Sequence, residues 1–360
     1  MISRLFLLAA LFCTGAAQAQ QYQVYRFWSP SVDVLLNEQR QAAGGIWVGG
    51  QQWGVRLDAD GTKTKFAIPG FFGEVNGFNE SGTALITYFG NTQGLGLWYQ
   101  DGRRTLIPLP ASTIITNSGR SLNDSNVVVG GMHTGFGGNA VVRGFRWQDG
   151  VMNMLDSGGF ARSGASDINN AGEIVGWADN GEGEQGVIWR NGVLQVLNSP
   201  SVASRALFVN DQGMVGGYSI DSQGGLHAVV WENGQMIDLG HGWLRAINNN
   251  GAAIWSGDRH YLWQDGRSID LATLIDEQKY LGYQLDDLYD INDQGQISAS
   301  LRDPLTNDYF GVLLSPFEVT PVPEPHQFML MLAGLLLLPR RQKRQSPGGQ
   351  EGQQVPAENQ

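Results

Sequence analysis

The chain has 360 residues, a net charge of −11 and only 16% charged side chains. From residue 20 to residue 325 it carries 18 basic against 32 acidic residues, a surplus that repels phosphate backbones and excludes nucleic acid as a partner. The one cysteine, Cys13, falls in a leader expected to be removed, which excludes disulfide and thiol chemistry from the mature chain.

Residues 1–19 read as a secretory signal peptide. Arg4 supplies the positive start, residues 5–12 an apolar core, and Ala17-Gln18-Ala19 a small-x-small cleavage site with the cut expected after Ala19. The apolar run is too short to span a bilayer. Next comes a stretch with Tyr22, Val24 and Phe27, read as a spare strand ahead of the first repeat.

Two marks then recur through residues 21–320. The first is an apolar residue followed by Asn, with Gly three residues further on, as in Phe78-Asn79-Glu80-Ser81-Gly82 and Ile291-Asn292-Asp293-Gln294-Gly295. The Asn positions are 37, 79, 123, 169, 210, 248 and 292; Asn126 stands where Gly is expected in the third copy, and the first copy is degenerate. The second mark is Trp followed closely by Asp-Gly or Asn-Gly, at Trp98, Trp147, Trp189, Trp231 and Trp263. Asp-Gly and Asn-Gly favour tight hairpins, because such turns need positive φ at their central residues. Each unit of roughly 43 residues therefore reads as strand, Asn turn, strand, longer loop, strand ending in Trp, hairpin, strand. Only the apolar ends and residues 271–278 carry a helical pattern. Four strands per unit predict an all-β chain, a β-propeller of about seven four-stranded blades closed through its two ends by the spare strand. The repeated Asn is expected to bond its own turn, and the repeated Trp to pack between blades rather than to form a sugar platform.

His227-Ala228-Val229-Val230-Trp231-Glu232-Asn233-Gly234, continued by Gln235-Met236-Ile237-Asp238-Leu239-Gly240, resembles the extracellular HAF repeat. Its neighbours keep the Trp and Gly but replace the His-Ala pair. The resemblance covers about residues 37–314 and implies an extracellular location more than a mechanism.

Candidates for chemistry are sparse. The five His show no metal-ligand spacing, and no Gly-x-Ser-x-Gly elbow occurs. Asp58-Ala59-Asp60-Gly61 lacks the later ligands of a calcium loop; Asp286, Asp287, Asp290 and Asp293 form a better acidic candidate. The reading is a non-enzymatic binding or scaffolding protein with no catalytic residue, cofactor or metal. The alternative is a secreted enzyme acting on glycans through carboxylates such as Asp167, Asp211 or Asp293, which would need two carboxyls across one bond. Ligand contact is expected on one face of the disc, through the irregular loops 132–139, 179–185 and 302–308.

Residues 321–344 hold Pro323-Glu324-Pro325, an apolar run at 328–338, and the basic cluster Arg340, Arg341, Lys343 and Arg344. This order resembles the PEP-CTERM sorting signal of Gram-negative bacteria that make exopolysaccharide. It implies transient membrane insertion through the C-terminal helix, basic residues on the cytoplasmic side, and processing by an exosortase. The mature protein is then expected at the outer surface or in the extracellular matrix, with exopolysaccharide or another envelope component as partner. Two features depart from that pattern: the apolar run is short for a span, and a polar tail, 345–360, follows it.

Overall fold

The computed structural model describes residues 21–28, 31–48, 51–58, 62–66, 72–89, 94–109, 113–114, 120–134, 141–275 and 282–317. These build seven antiparallel sheets arranged as the blades of a β-propeller. Blade 1 is β2 (Ser31–Leu36), β3 (Ala42–Val48), β4 (Gln51–Leu57) and β5 (Lys63–Phe66). Blade 2 is β6 (Phe72–Phe78), β7 (Ala84–Phe89), β8 (Gly94–Trp98) and β9 (Arg104–Ile107). Blade 3 has its innermost strand in two pieces, β10 (Thr113–Ile114) and β11 (Ser121–Leu122), both paired with β12 (Val128–Thr134), followed by β13 (Val141–Gln148) and β14 (Val151–Met154). Blade 4 is β15 (Arg162–Ile168), β16 (Ile174–Asp179), β17 (Glu184–Arg190) and β18 (Val193–Val196). Blade 5 is β19 (Ala203–Val209), β20 (Val215–Ile220), β21 (Leu226–Glu232) and β22 (Gln235–His241). Blade 6 is β23 (Trp243–Ile247), β24 (Ala253–Ser256), β25 (His260–Gln264) and β26 (Arg267–Asp270). Blade 7 is β27 (Gln284–Ile291), β28 (Ile297–Arg302) and β29 (Tyr309–Phe317), completed on its outside by β1 (Gln21–Trp28).

The expected closure through the two ends is therefore present, with Gln21 opposite Phe317 and Val24 opposite Leu314. Tyr22 is 1% exposed and packs with Leu271 and Leu274, just after blade 6, and with Leu288 and Ile297 of blade 7. Closure joins the first and last strands in one blade, but it does not remove every sheet edge. Each blade still ends on an outer strand, held to four residues in β5, β9, β14, β18 and β26, and short edges offer little template for stray pairing. Residues 271–274, within the stretch read as helical, form one turn of 3-10 helix capped by the Asp270 side chain.

The two sequence marks sit where the pattern put them. Each Asn ends an innermost strand, and each Trp ends a third strand. The hairpins after Trp147, Trp189, Trp231 and Trp263 place both central residues at positive φ, for example Asn191 at 51° and Gly192 at 80°. The five Trp are 1–6% exposed. Trp231 joins Val229 of its own blade to Val175 and Ile188 of blade 4, so these rings fill the seams between blades and offer no sugar platform.

Candidate functional site

In a four-stranded antiparallel blade, the first and third connections lie on one face of the disc. The second connection, and the passage to the next blade, lie on the other. All Asn turns and Trp hairpins are thus on one face, the turn face. The irregular loops 132–139, 179–185 and 302–308 are all second connections, so they share the opposite face, the loop face; residues 135–139 lie outside the described residues.

The turn face is bound together by two rings of hydrogen bonds. Every repeated Asn accepts the backbone N–H four residues on through its Oδ1, as Asn210 does from Met214 at 2.8 Å, which is the own-turn bond expected from the sequence. Its amide nitrogen does something the sequence reading missed. Asn37 donates to the carbonyl of Asn79, Asn79 to Asn123, Asn123 to Asn169, and so on through Asn292 back to Asn37, at 2.9–3.3 Å. The following residue forms the second ring. The backbone N–H groups of Glu38, Glu80, Asp124, Asn170, Asp211, Asn249 and Asp293 each donate to the side chain of the next member, at 2.6–2.9 Å. Five of those seven side chains are carboxylates. Burial and like-charged neighbours push the Glu80 carboxyl up to about 7, and burial raises Glu38 as well.

The carboxylates suggested for catalysis or for calcium are dispersed and engaged in this framework. Asp211 and Asp293 are ring members. Asp167 and Asp290, half-buried at matching positions of β15 and β27, each accept a backbone N–H from the next blade, Val209 and Leu36 respectively, at 2.8 Å. Burial raises both carboxyls, Asp290 to about 6. Asp287 pairs with Arg245 at 2.6 Å, and Asp286 faces Ser300. The four acids read together as a calcium candidate thus go to separate partners. Among the described residues, no group of three or more His, Cys, Asp or Glu is placed to hold a metal ion. Two acids of the loop face close their own turns: Asp179 accepts from Gly181, and Asp303 from Leu305. His227, whose ring is flanked by Asp238 at 2.8 Å and Asp221 at 3.3 Å, lies 4.1 Å from the His241 ring; the Asp238 carboxylate foremost raises its pKa.

What breaks the repeat on the loop side is a cup spanning blades 3 to 5, with a volume of about 440 Å³. Its walls include Arg120, His133, Ser166, Trp177 and Arg205, with Gly131 and Gly164 also lining it. Arg120 stands where the inner strand of blade 3 is interrupted, just before β11. Arg205 lies in β19 and forms a two-bond pair with Glu184, one bond of 2.9 Å. Its guanidinium lies over the Trp177 ring at 4.9 Å. Glu184 also bonds the Tyr218 hydroxyl, and Tyr218 meets the half-exposed Trp243 edge-on at 5.3 Å. Arg120 faces water, yet protein surrounds it closely enough that burial, then the nearby Arg205, lowers its pKa. Among the described residues its guanidinium has no hydrogen bond or ion pair; Glu74 is a more distant influence. Among the described residues no carboxylate lines the cup, and no hydrogen bond joins Ser166 to His133. No sequence signal singled out Arg120 or Arg205, because their neighbourhood is assembled from three blades.

The sorting and cleavage residues Ala17, Ala19, Pro323, Glu324, Pro325, Arg340, Arg341, Lys343 and Arg344 lie outside the described residues. Among the described residues, no helix is long and apolar enough to cross a membrane.

No protein-family model matches the chain, and no curated protein matches it. Solved structures do resemble it. A puromycin hydrolase S511A mutant complexed with PGG is 14% identical, with a TM-score of 0.57, over 83% of this chain and 55% of that one. YCF48 bound to a D1 peptide is 13% identical, with a TM-score of 0.49, over 83% and 96%. TolB from Acinetobacter baumannii is 12% identical, with a TM-score of 0.43, over 82% and 65%. The chain thus spans a little over half the length of the hydrolase and about two thirds of TolB. At these identities the likeness is one of fold.

Proposed function

We propose that this propeller is an exported binding or scaffolding protein of the cell envelope, without catalytic activity, whose ligand enters the cup on the loop face. One observation carries the reading. The side chains that depart from the repeat gather at this mouth as arginines and aromatic rings, while the acids that glycan hydrolysis would need hold backbone N–H groups elsewhere. Hydrolysis of a glycosidic bond calls for two carboxyls facing each other across the bond, and the described walls of the cup supply none. A rigid disc carrying a polar, aromatic-sided concavity matches a binding site positioned by its scaffold.

The export half of the reading rests on the leader, the Pro-Glu-Pro segment and the basic cluster, with an exosortase as transient partner and exopolysaccharide or another envelope component as the lasting one. A glycan array with the full chain, run beside a product assay on whatever is bound, tests the binding half. Retention of unaltered sugars, lost when Arg120 is changed to Ala, supports the reading. Release of cleaved products overturns it in favour of a glycan-active enzyme.

A further inference from the structure

We infer that the cup recognises an acidic sugar, taking one carboxylate on Arg120 while the sugar ring lies beside the Trp177 indole. This deepens the binding reading and rests on it. Charge comes first. Arg205 is balanced by Glu184, and Arg245 by Asp287, so Arg120 is the guanidinium at this mouth left without an ion pair among the described residues. A planar guanidinium matches a carboxylate in a two-bond fork, and a partly desolvated one holds it more strongly than one in bulk water. The surrounding protein is strongly acidic, with 32 acidic against 18 basic residues between residues 20 and 325. A densely charged polyanion is repelled by such a surface, whereas a sparsely charged glycan can present a single carboxylate.

Shape comes second. The walls join a flat indole with hydroxyl and imidazole groups, Ser166 and His133, the mixture that suits a ring with an apolar face and a polar rim. Gly131 keeps the cup open. A Cβ there would lie 3.5 Å from Val142 and 3.8 Å from Gly164, an ordinary contact, so packing does not demand glycine at that position. Gly164 differs: a Cβ there would approach the Trp177 Nε1 to 2.7 Å, so this glycine seats the indole. The site is a concavity between blades rather than a strand edge, which disfavours an extended peptide.

The test is calorimetric titration of the full chain with an aldobiouronic acid, its methyl ester, the neutral disaccharide and a capped glutamyl dipeptide. The expected result is binding of the acid at least tenfold tighter than of the ester, the neutral sugar or the dipeptide. Arg120→Gln and Gly131→Val should each lose that binding by at least tenfold with unchanged melting temperature, the second by filling the cup without touching a charge. Equal binding of ester and acid would overturn the carboxylate contact. Equal binding of the dipeptide would overturn the sugar assignment. Array binding of neutral glycans that survives both substitutions overturns this inference while leaving the protein a binding protein; turnover of any probe overturns the binding reading itself.

Discussion

Each repeated Asn makes a bond at both ends of its amide, one within its turn and one to the next blade. Replacing Asn210 with Ala strands the buried Met214 N–H and leaves the Asn248 carbonyl only its bond from the Gly251 N–H, and a buried unpaired group costs about 1–3 kcal/mol. Asn210→Ala is therefore expected to lower stability by about 1–3 kcal/mol. Asn170→Ala, at an exposed ring position, should cost well under half of that. Denaturant titration of the two variants separates them, and equal losses would refute the two-ended role. An acid of the turn-face ring and one of the inner strands set the pH dependence. The carboxyls of Glu80, at about 7, and Asp290, at about 6, are raised in the folded state, chiefly by burial. A group raised on folding contributes stability that is complete below its unfolded pKa and is lost as pH rises through its folded value. His227 acts in the same direction. Asp179 and Asp221, held low mainly by backbone N–H groups, act oppositely, and their contribution disappears as pH falls below about 4. Melting temperature is thus expected to be higher near pH 5 than at pH 8, then to fall in stronger acid. A rise from pH 5 to pH 8 would contradict the assignment.

At the scale of strands, the innermost pair is bulged in six of the seven blades, blade 3 having its inner strand in two pieces instead. The register of β15 against β16 shifts between Ala165 and Asp167, and that of β19 against β20 between Ala206 and Phe208. In blades 4 and 5 a carbonyl of the bulged strand approaches the neighbouring strand where only glycine fits. A Cβ on Gly176 would lie 2.0 Å from the Gly164 oxygen, and one on Gly217 2.0 Å from the Arg205 oxygen. Gly176→Ala should cost about 3 kcal/mol, seen as an early unfolding midpoint; a neutral result would mean that the bulge relaxes freely. The closing strand β1 is the other vulnerable element. Removal of Gln21–Trp28 uncovers β29 and withdraws Tyr22 from between blades 6 and 7. Its melting temperature should drop sharply, and Tyr22→Ala alone should account for about 3–5 kcal/mol. No change on deletion would argue against closure through the ends.

For the whole molecule, the question is where it resides. A helix of the length of the apolar run 328–338 would reach only roughly 16 Å, against a hydrocarbon core of about 30 Å. So short a run suits a transient sorting step better than a permanent anchor, with neighbouring residues or local thinning helping it across. Mass spectrometry of the protein recovered from its native host is expected to show a species starting near Gln20 and ending near Pro323-Glu324-Pro325. An extracellular species retaining Arg340 to Gln360 would overturn that expectation.

Fold and blade number were legible in the sequence because they rest on local chemistry. Asn-Gly and Asp-Gly turns need particular φ values, and alternating strands need apolar residues at fixed spacing, so seven copies announce themselves without any tertiary information. The spare strand before the first Asn likewise foretold which sheet it completes. The second bond of each Asn was not legible, since the carbonyl that receives it lies 38 to 46 residues further on, or across the chain's closure for Asn292. The acids read as neighbours around Asp286 proved to have separate partners, because successive strand residues point to opposite faces and bulges redirect them. The cup was invisible for the same reason. Arg120, Trp177 and Arg205 have no spacing in common, and only the packing of blades 3 to 5 brings three inner strands to one mouth, where pairing Arg205 with Glu184 leaves Arg120 without an ion pair among the described residues.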